Sequence, residues 1–420
     1  MPRTDDGRGS GAGKCITQLA GKTIAQGNER PYCCPACVRA HSSDENFHAF
    51  LRYGNHKTVL EDPAKTKDAV AKDVCRGYSL AADTRLVYFM RDIHITPLGL
   101  VDLNTMYKNP RPIFDSTFRP YHGAMAINDW TTKATEPEIV FATSFQANLI
   151  WLYNLRVTYP DQEIYVGDDD VSGAFRHNKY HPSLVAMHAF ILFGYLFFAT
   201  GTTFGDCTSP SNWEVLARIR QLLAQHLWYQ PTTLPQAKRF LPAITFATPP
   251  TPVDIASFTV CPPDSLNSGV LDEHGNRFAP RYPHHVDDNM YADVGCFMPN
   301  TVAASILALY LVLGYPSPTN RDAVSWEKFE ASFTHERKHL GWWINSRTMT
   351  VALPPYKRER LLALLQVWLD QPSFTLREIA TILGQLGSAT LVNSHQSVLP
   401  SPLGGCLLAL TWPSHMPNLV

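Results

Sequence analysis

Apolar and polar positions alternate along this chain in blocks that read as helices and strands in mixed order. Asp62-Pro63 fits a helix N-cap with proline in the first turn, and the helix runs to about Cys75 with Gly77 just beyond it. Strand-like segments follow at 86–91 and 97–103, then Arg111-Pro112-Ile113-Phe114-Asp115. Residues 142–157 carry helical periodicity, and Ile164-Tyr165-Val166 is a short apolar run leading into Asp168-Asp169-Asp170. Residues 185–204 read as a hairpin turning near Phe193-Gly194. Ser211 and Glu214 suit a capping box for a helix reaching about Trp228. The proline-rich stretch 229–283 reads as an irregular insertion. A strand is expected at 290–294 and helices at 301–313, 356–369 and 375–386, the last with a capping box from Thr375 and Glu378.

Composition adds limits. The 420 residues suggest two or three domains, and 45% hydrophobic content suits a real core. With 36 basic and 37 acidic residues the net charge is −1, so any affinity for nucleic acid must come from local clustering. Residues 1–30 are poor in apolar side chains and their composition predicts disorder. No signal peptide pattern opens the sequence, and the nine cysteines are irregularly spaced, which points to reduced thiols in an intracellular protein. The most apolar stretch, 185–199, is short for a membrane span and reads as core. Gly9 to Lys14 does not have phosphate-loop spacing. Cys34-Pro35-Ala36-Cys37, near Cys33, His41 and His48, has zinc-ligand spacing but no second paired cluster, so free thiols are the favoured reading.

The candidate chemistry rests on two acidic motifs. Asp170-Val171-Ser172-Gly173-Ala174-Phe175 ends one apolar strand; His285-Val286-Asp287-Asp288 precedes another. Taken alone, Asp168-Asp169-Asp170 reads as a solvated loop and Asp287-Asp288 as a structural or capping pair. Flanked by strands, however, the second motif reads as strand–turn–strand, and a tight turn can project both carboxylates from one edge. Two carboxylate sites on neighbouring strands are what two-metal phosphoryl transfer requires, since hard divalent ions prefer carboxylate oxygens.

In order along the chain, five motifs resemble those of a reverse transcriptase of the retroelement type, similar to tyrosine-recombinase or Ty3-like retrotransposons. The two acidic motifs stand as the first and third palm motifs, with His285 where that family often has Tyr. Phe204-Gly205 and Ser209-Pro210 stand as the second, Arg111 to Ser116 as the fingers motif, and Leu340-Gly341-Trp342-Trp343 as the primer-grip turn.

The resemblance covers about residues 50–400. It implies an α+β, right-handed-palm polymerase: a tail with a cysteine cluster at 1–50, fingers at 51–165, palm at 166–335 and a partial thumb or connection at 336–420. It implies RNA-directed DNA synthesis with two magnesium ions, or manganese in their place, on Asp170, Asp287 and Asp288. The Val171 carbonyl is a further possible ligand. Phe175 would lie under the incoming sugar and exclude ribonucleotides. Lys108 and Arg111 would neutralise the triphosphate within a nucleotide site that also includes Asp115, Gly205, Ser209 and Pro210. Lys328 sits about where the family's fourth motif has a lysine that protonates pyrophosphate, with solvated surface at least an equal reading. Leu340, Gly341 and Trp342 would touch primer or template. The implied partners are an RNA or DNA template, a nucleic-acid primer and dNTPs, with no membrane.

Three further readings follow. The 77 positions from Pro210 to Asp287 exceed the family's usual spacing, so 229–283 is read as inserted. No ribonuclease H or integrase pattern is seen, which suits a piece of a larger polyprotein or a decayed copy, although the intact aspartates speak against decay. Arg337, Lys338, Arg347, Lys357, Arg358 and Arg360, interleaved with Trp342 and Trp343, form a candidate basic face for template, with a solvated helix face as the equal alternative. Two other functions remain open: a relative that binds nucleic acid without polymerising, and an unrelated metal-dependent hydrolase.

Overall fold

Local signals place most of the helices where expected. The structure, a computed structural model, describes residues 44–90, 93–101, 110–131, 136–139, 144–237, 239, 245–246, 270–272, 274–317, 320–329, 332–370 and 373–390. The cysteine cluster, Lys108 and most of 229–283 lie outside them. Helices α1 (Asp44–Tyr53) and α2 (Lys57–Glu61) lead to α3 (Pro63–Cys75). Asp62 caps α3 by accepting from the Lys65 backbone N–H at 3.0 Å, and Gly77 turns the chain away at φ 67°. Strand β1 (Ser79–Asp83) follows. The strand expected at 86–91 is instead a 3₁₀ turn over Thr84–Tyr88, because the Asp83 carboxylate accepts from the Arg85 N–H at 2.8 Å and caps a helical turn.

Strands β2 (Leu98–Val101) and β3 (Arg111–Phe114) pair antiparallel. Helix α4 (Ser144–Thr158) precedes β4 (Ile164–Asp170), and the short helices α5 (Ala174–His177) and α6 (Pro182–Val185) follow. Strands β5 (Ala189–Leu192) and β6 (Tyr195–Ala199) form the expected hairpin. Phe193 and Gly194 both have positive φ at its turn, and β1 joins on β6.

Helix α7 (Ser209–Trp228) starts two residues earlier than expected, with Pro210 in its first turn. The Ser211–Glu214 capping box does not form: the Ser211 hydroxyl donates to Glu136, and Glu214 accepts from Arg218. Helix α8 (Thr233–Ala237) and the two-residue strand β7 (Thr245–Phe246) fall in the proline-rich stretch. Then come β8 (His284–His285), β9 (Asp288–Val294), α9 (Met298–Leu313), β10 (Ser332–Phe333), β11 (Glu336–His339), β12 (Trp342–Asn345) and β13 (Thr350–Ala352). Helices α10 (Pro355–Asp370) and α11 (Leu376–Thr390) close the described chain, and α11 has the expected reciprocal bonds between Thr375 and Glu378. Among the described residues no helix is long and apolar enough to cross a membrane.

The antiparallel sheet β4–β9–β8 is buried on both faces, and alternation sorts its side chains. Ile164, Val166, Met290, Ala292 and Val294 pack with Trp151 of α4 and Ile344 of β12. Tyr165 and Tyr291 belong to a second core with Trp213 of α7 and with α9. Continuing the period of two puts Asp168 and Asp170 on the α4 side and Asp169 on the side of α7 and α9. The register pairs Asp170 with Asp288 and Asp169 with Asn289.

Candidate active site

The β8–β9 register pairs His285 with Asp288, leaving Val286-Asp287 as a two-residue turn. Val286 adopts φ 57°, which a β-branched residue avoids unless its surroundings hold it. They do: the Trp213 indole N–H donates to the Val286 carbonyl at 2.6 Å, and the Val171 N–H donates to the Asp287 carbonyl at 3.2 Å. Asp170, Asp287 and Asp288 therefore meet at one end of the sheet. The solvated-loop reading of Asp168-Asp169-Asp170 is overturned, since β4 carries all three aspartates and each finds its own cation. Asp168 takes Arg337, Asp169 takes Arg220 at 2.6 Å and Asp170 takes Lys328 at 2.6 Å.

Charge at this end is unbalanced. Burial, followed by repulsion from Asp170, raises the Asp287 carboxyl above its ordinary range. Burial and the charges of Asp287 and Asp170 push Asp288 up to about 7. Burial opposes the Lys328 charge, yet the Asp170 bond and the neighbouring carboxylates raise that ammonium above its usual value. Lys328 thus stands where a cation is wanted. Among the described residues no three acidic, histidine or cysteine side chains are arranged to take one ion together. Asp170 is turned to Lys328, and Asp288 does not line the cavity that Asp170 and Asp287 face. The donor set suits magnesium in kind, being hard carboxylate oxygen short of positive charge. Asp170 would have to leave Lys328 to serve it.

That cavity has a volume of about 550 Å³. Asp170, Val171, Phe175 and Asp287 line one side, and Arg111 and Phe204 contribute from β3 and the chain before α7. The Phe175 and Phe204 rings meet at 5.2 Å, and the Arg111 guanidinium lies 5.8 Å from the Phe204 ring. Phe175 is also 92% buried within the α7–α9 core, so it belongs to wall and core at once. The sequence reading missed a further wall, where α3 and its C-cap residue present Lys65, Lys72 and Arg76 alongside Asp68 and Asp73. The three basic positions, spaced seven and four apart with Ala69 between, lie on one helical stripe, a periodic signal available in the sequence.

Other expected site residues stand elsewhere. Asp115 bonds His56 at 3.0 Å and caps the turn at Thr117 rather than facing the cavity. Gly205 lets two backbones touch: a Cβ there would lie 1.7 Å from the Phe114 carbonyl oxygen. The Ser209 hydroxyl donates to the Thr203 carbonyl at 2.7 Å, and Pro210 shapes the first turn of α7. These four hold Phe204 and α7 in place without lining the cavity.

Leu340-Gly341 is a tight β11–β12 turn with φ of 47° and 84°, also away from the cavity, and Trp342 is buried in the α4-side core. The basic face is smaller than expected. Arg337 is buried against Asp168 and Arg347 reaches Glu163, so Lys338, Lys357, Arg358 and Arg360 remain, with Trp343 as the exposed aromatic.

No family model matches this sequence, and no curated protein matches it either. Among solved structures, similar folds include a foamy viral protease-reverse transcriptase in complex with dsDNA, at 14% identity and TM-score 0.44, over 80% of this chain and 49% of that one. The same viral protein with an RNA/DNA hybrid gives 14% identity and TM-score 0.43, over 80% and 32%. The native prototype foamy virus form gives 12% identity and TM-score 0.38, over 82% and 34%. The chain spans less than half the length of each.

Proposed function

We propose that this chain is a template-directed nucleotidyl transferase, an RNA-directed DNA polymerase of a retroelement with fingers, palm and a partial thumb. The observation that carries the reading is the pairing of Asp170 with Asp288 beside the Asp287 turn, with Asp170 and Asp287 on a cavity that Lys65, Lys72, Arg76 and Arg111 also line. Asp170 and Asp287, backed by Asp288, would hold the divalent ions. Bound there, magnesium would lower the primer hydroxyl's pKa and offset charge on the leaving group. Lys65, Lys72, Arg76 and Arg111 bind and orient the triphosphate of a dNTP, and Phe175 supports its sugar. The primer 3′-hydroxyl would give its proton to solvent as its oxygen bonds to the α-phosphorus, the bond to the bridging oxygen would break, and pyrophosphate would depart. Lys328, held in its charged form by the aspartates, would give pyrophosphate a proton and regain one from solvent.

Primer extension on RNA and DNA templates tests this, with Asp287→Asn as control. Extension that needs magnesium and dies in the variant supports it; no extension by the wild-type chain removes it. One observation favours a second reading, a nucleic-acid-binding relative that does not polymerise: Lys328 already occupies Asp170. Template binding without extension would select that reading.

A further inference from the structure

Tyr78 joins α3 to β1 and is fixed at both ends of its backbone. Its N–H donates to the Asp73 carbonyl at 2.8 Å, and its carbonyl accepts from the Thr200 N–H at 3.0 Å. The side chain is 93% buried and lines the same cavity as Asp170 and Phe175. The Lys179 ammonium lies 5.3 Å from the ring centroid and the Arg176 guanidinium 6.0 Å. Gly173 allows this approach. A Cβ on Gly173 would lie 3.0 Å from the Tyr78 hydroxyl, and that backbone is in the left-handed region at φ 67°. Gly173 stands between Asp170 and Phe175 in the first acidic motif, so the phenol reaches the middle of that motif.

Among the described residues the Tyr78 hydroxyl makes no hydrogen bond. The hydroxyl is not sealed in the core but opens to the cavity, where phenylalanine would offer a bound molecule no donor. Burial raises this phenol above its ordinary range, so at neutral pH it is an uncharged donor. Phosphate oxygens in this cavity have stronger partners in Lys72, Arg76 and Arg111, and a neutral phenol competes poorly with them. The group left for it is a neutral hydroxyl at the sugar, next to Phe175.

We propose that the Tyr78 hydroxyl donates a hydrogen bond to the 3′-hydroxyl of the incoming nucleotide and so makes the site prefer nucleotides able to continue the chain. This rests on the nucleotidyl-transfer reading. The experiment compares wild type with Tyr78→Phe, measuring kcat/KM for a dNTP and its 2′,3′-dideoxy counterpart on one primer–template. A melting curve for each protein checks folding. The expected result is a loss of roughly tenfold for the dNTP, mainly in KM, with the dideoxynucleotide unchanged, as for one lost neutral hydrogen bond. Equal losses for both substrates would assign the residue to phosphate contact or packing and overturn the proposal, as would no loss for either. Absence of extension by the wild type would instead overturn the nucleotidyl-transfer reading itself.

Discussion

Asp169 and Asp170 are neighbours in the chain, yet they belong to two regions built on different principles. Asp169 faces α7 and α9, where Arg220 bonds both its oxygens at 2.6 Å and Ser305 donates at 2.9 Å. Nearby, Asp293 is fully buried with Arg277 and Thr301. Both carboxylates have a buried arginine as partner, the arrangement that a packed interior tolerates. Asp170 faces the cavity rim, where its cationic partner, Lys328, is 63% exposed and the Asp287 and Asp288 carboxyls stand beside it. The first region spends its charges on holding two helices to a sheet. The second leaves negative charge unmet, which gives it capacity to take a cation and substrate.

The largest expected effect separates the regions directly. Asp287→Asn should cut primer extension by about a thousandfold or more, worth several kcal/mol of lost charge stabilisation, with little change in melting. Arg220→Met should do the reverse, leaving Asp169 buried with the Ser305 hydroxyl but no cation, at a cost of about 3–5 kcal/mol in denaturant titration. A wild-type midpoint for Arg220→Met would break the comparison.

Phe175 spans both regions. Phe175→Ala should cost about 3–5 kcal/mol from the core and admit ribonucleotides. A large stability loss with unchanged discrimination between ribo- and deoxyribonucleotides would assign the ring to the core alone.

Acid should act oppositely on the Asp170 end and on two buried histidines beside the β5–β6 hairpin, His94 and His188. Burial holds His94 at about 3, and His188 at about 4, below the unfolded value, so the unfolded chain takes protons first. Stability should therefore fall below pH 6.5, by about 1.4 kcal/mol per pH unit for each such histidine, as followed by melting temperature. Asp288 at about 7 lies above its unfolded value, so its protonation favours the fold. That contribution is present in acid and lost as pH rises through 7. Asp288→Asn should therefore raise the melting temperature at pH 8, and magnesium should raise that of the wild type there. A wild-type melting temperature indifferent to magnesium would argue against a cation site.

Smaller effects sharpen the contrast. Lys328→Met should cost less stability than Arg220→Met in the same denaturant titration, because solvent reaches the Lys328 ammonium while Arg220 is buried with its partner. Removing Lys357, Arg358 or Arg360 should each lower the slope of log affinity for template against log salt by about 0.9 if the side chain meets a phosphate. A flat salt dependence would leave this face as solvated surface.

Much of the architecture was legible in the residues because its causes are local. Asp62-Pro63, Thr375 with Glu378 and the turn at Phe193-Gly194 work within a few positions. The strand–turn–strand around Asp287 follows from alternation and a tight turn. Where local signals misled, a distant partner had taken the group. Glu214, inside α7, is bound to His284 seventy positions away, and Arg337 left the basic face to join Asp168.

The sequence by itself determined the order of helices and strands and the presence of acidic motifs on two strands. It also determined which face of β4 each aspartate takes, since a strand's period of two depends on nothing beyond the strand. Only the tertiary structure decided what those aspartates became. Their partners Arg220, Lys328 and Arg337 stand 51, 158 and 169 positions away, and the α3 cations reach the cavity only when that helix packs beside it. Whether a carboxylate is neutralised or left free depends on burial and on charges brought near by folding, and no spacing along the chain encodes those distances.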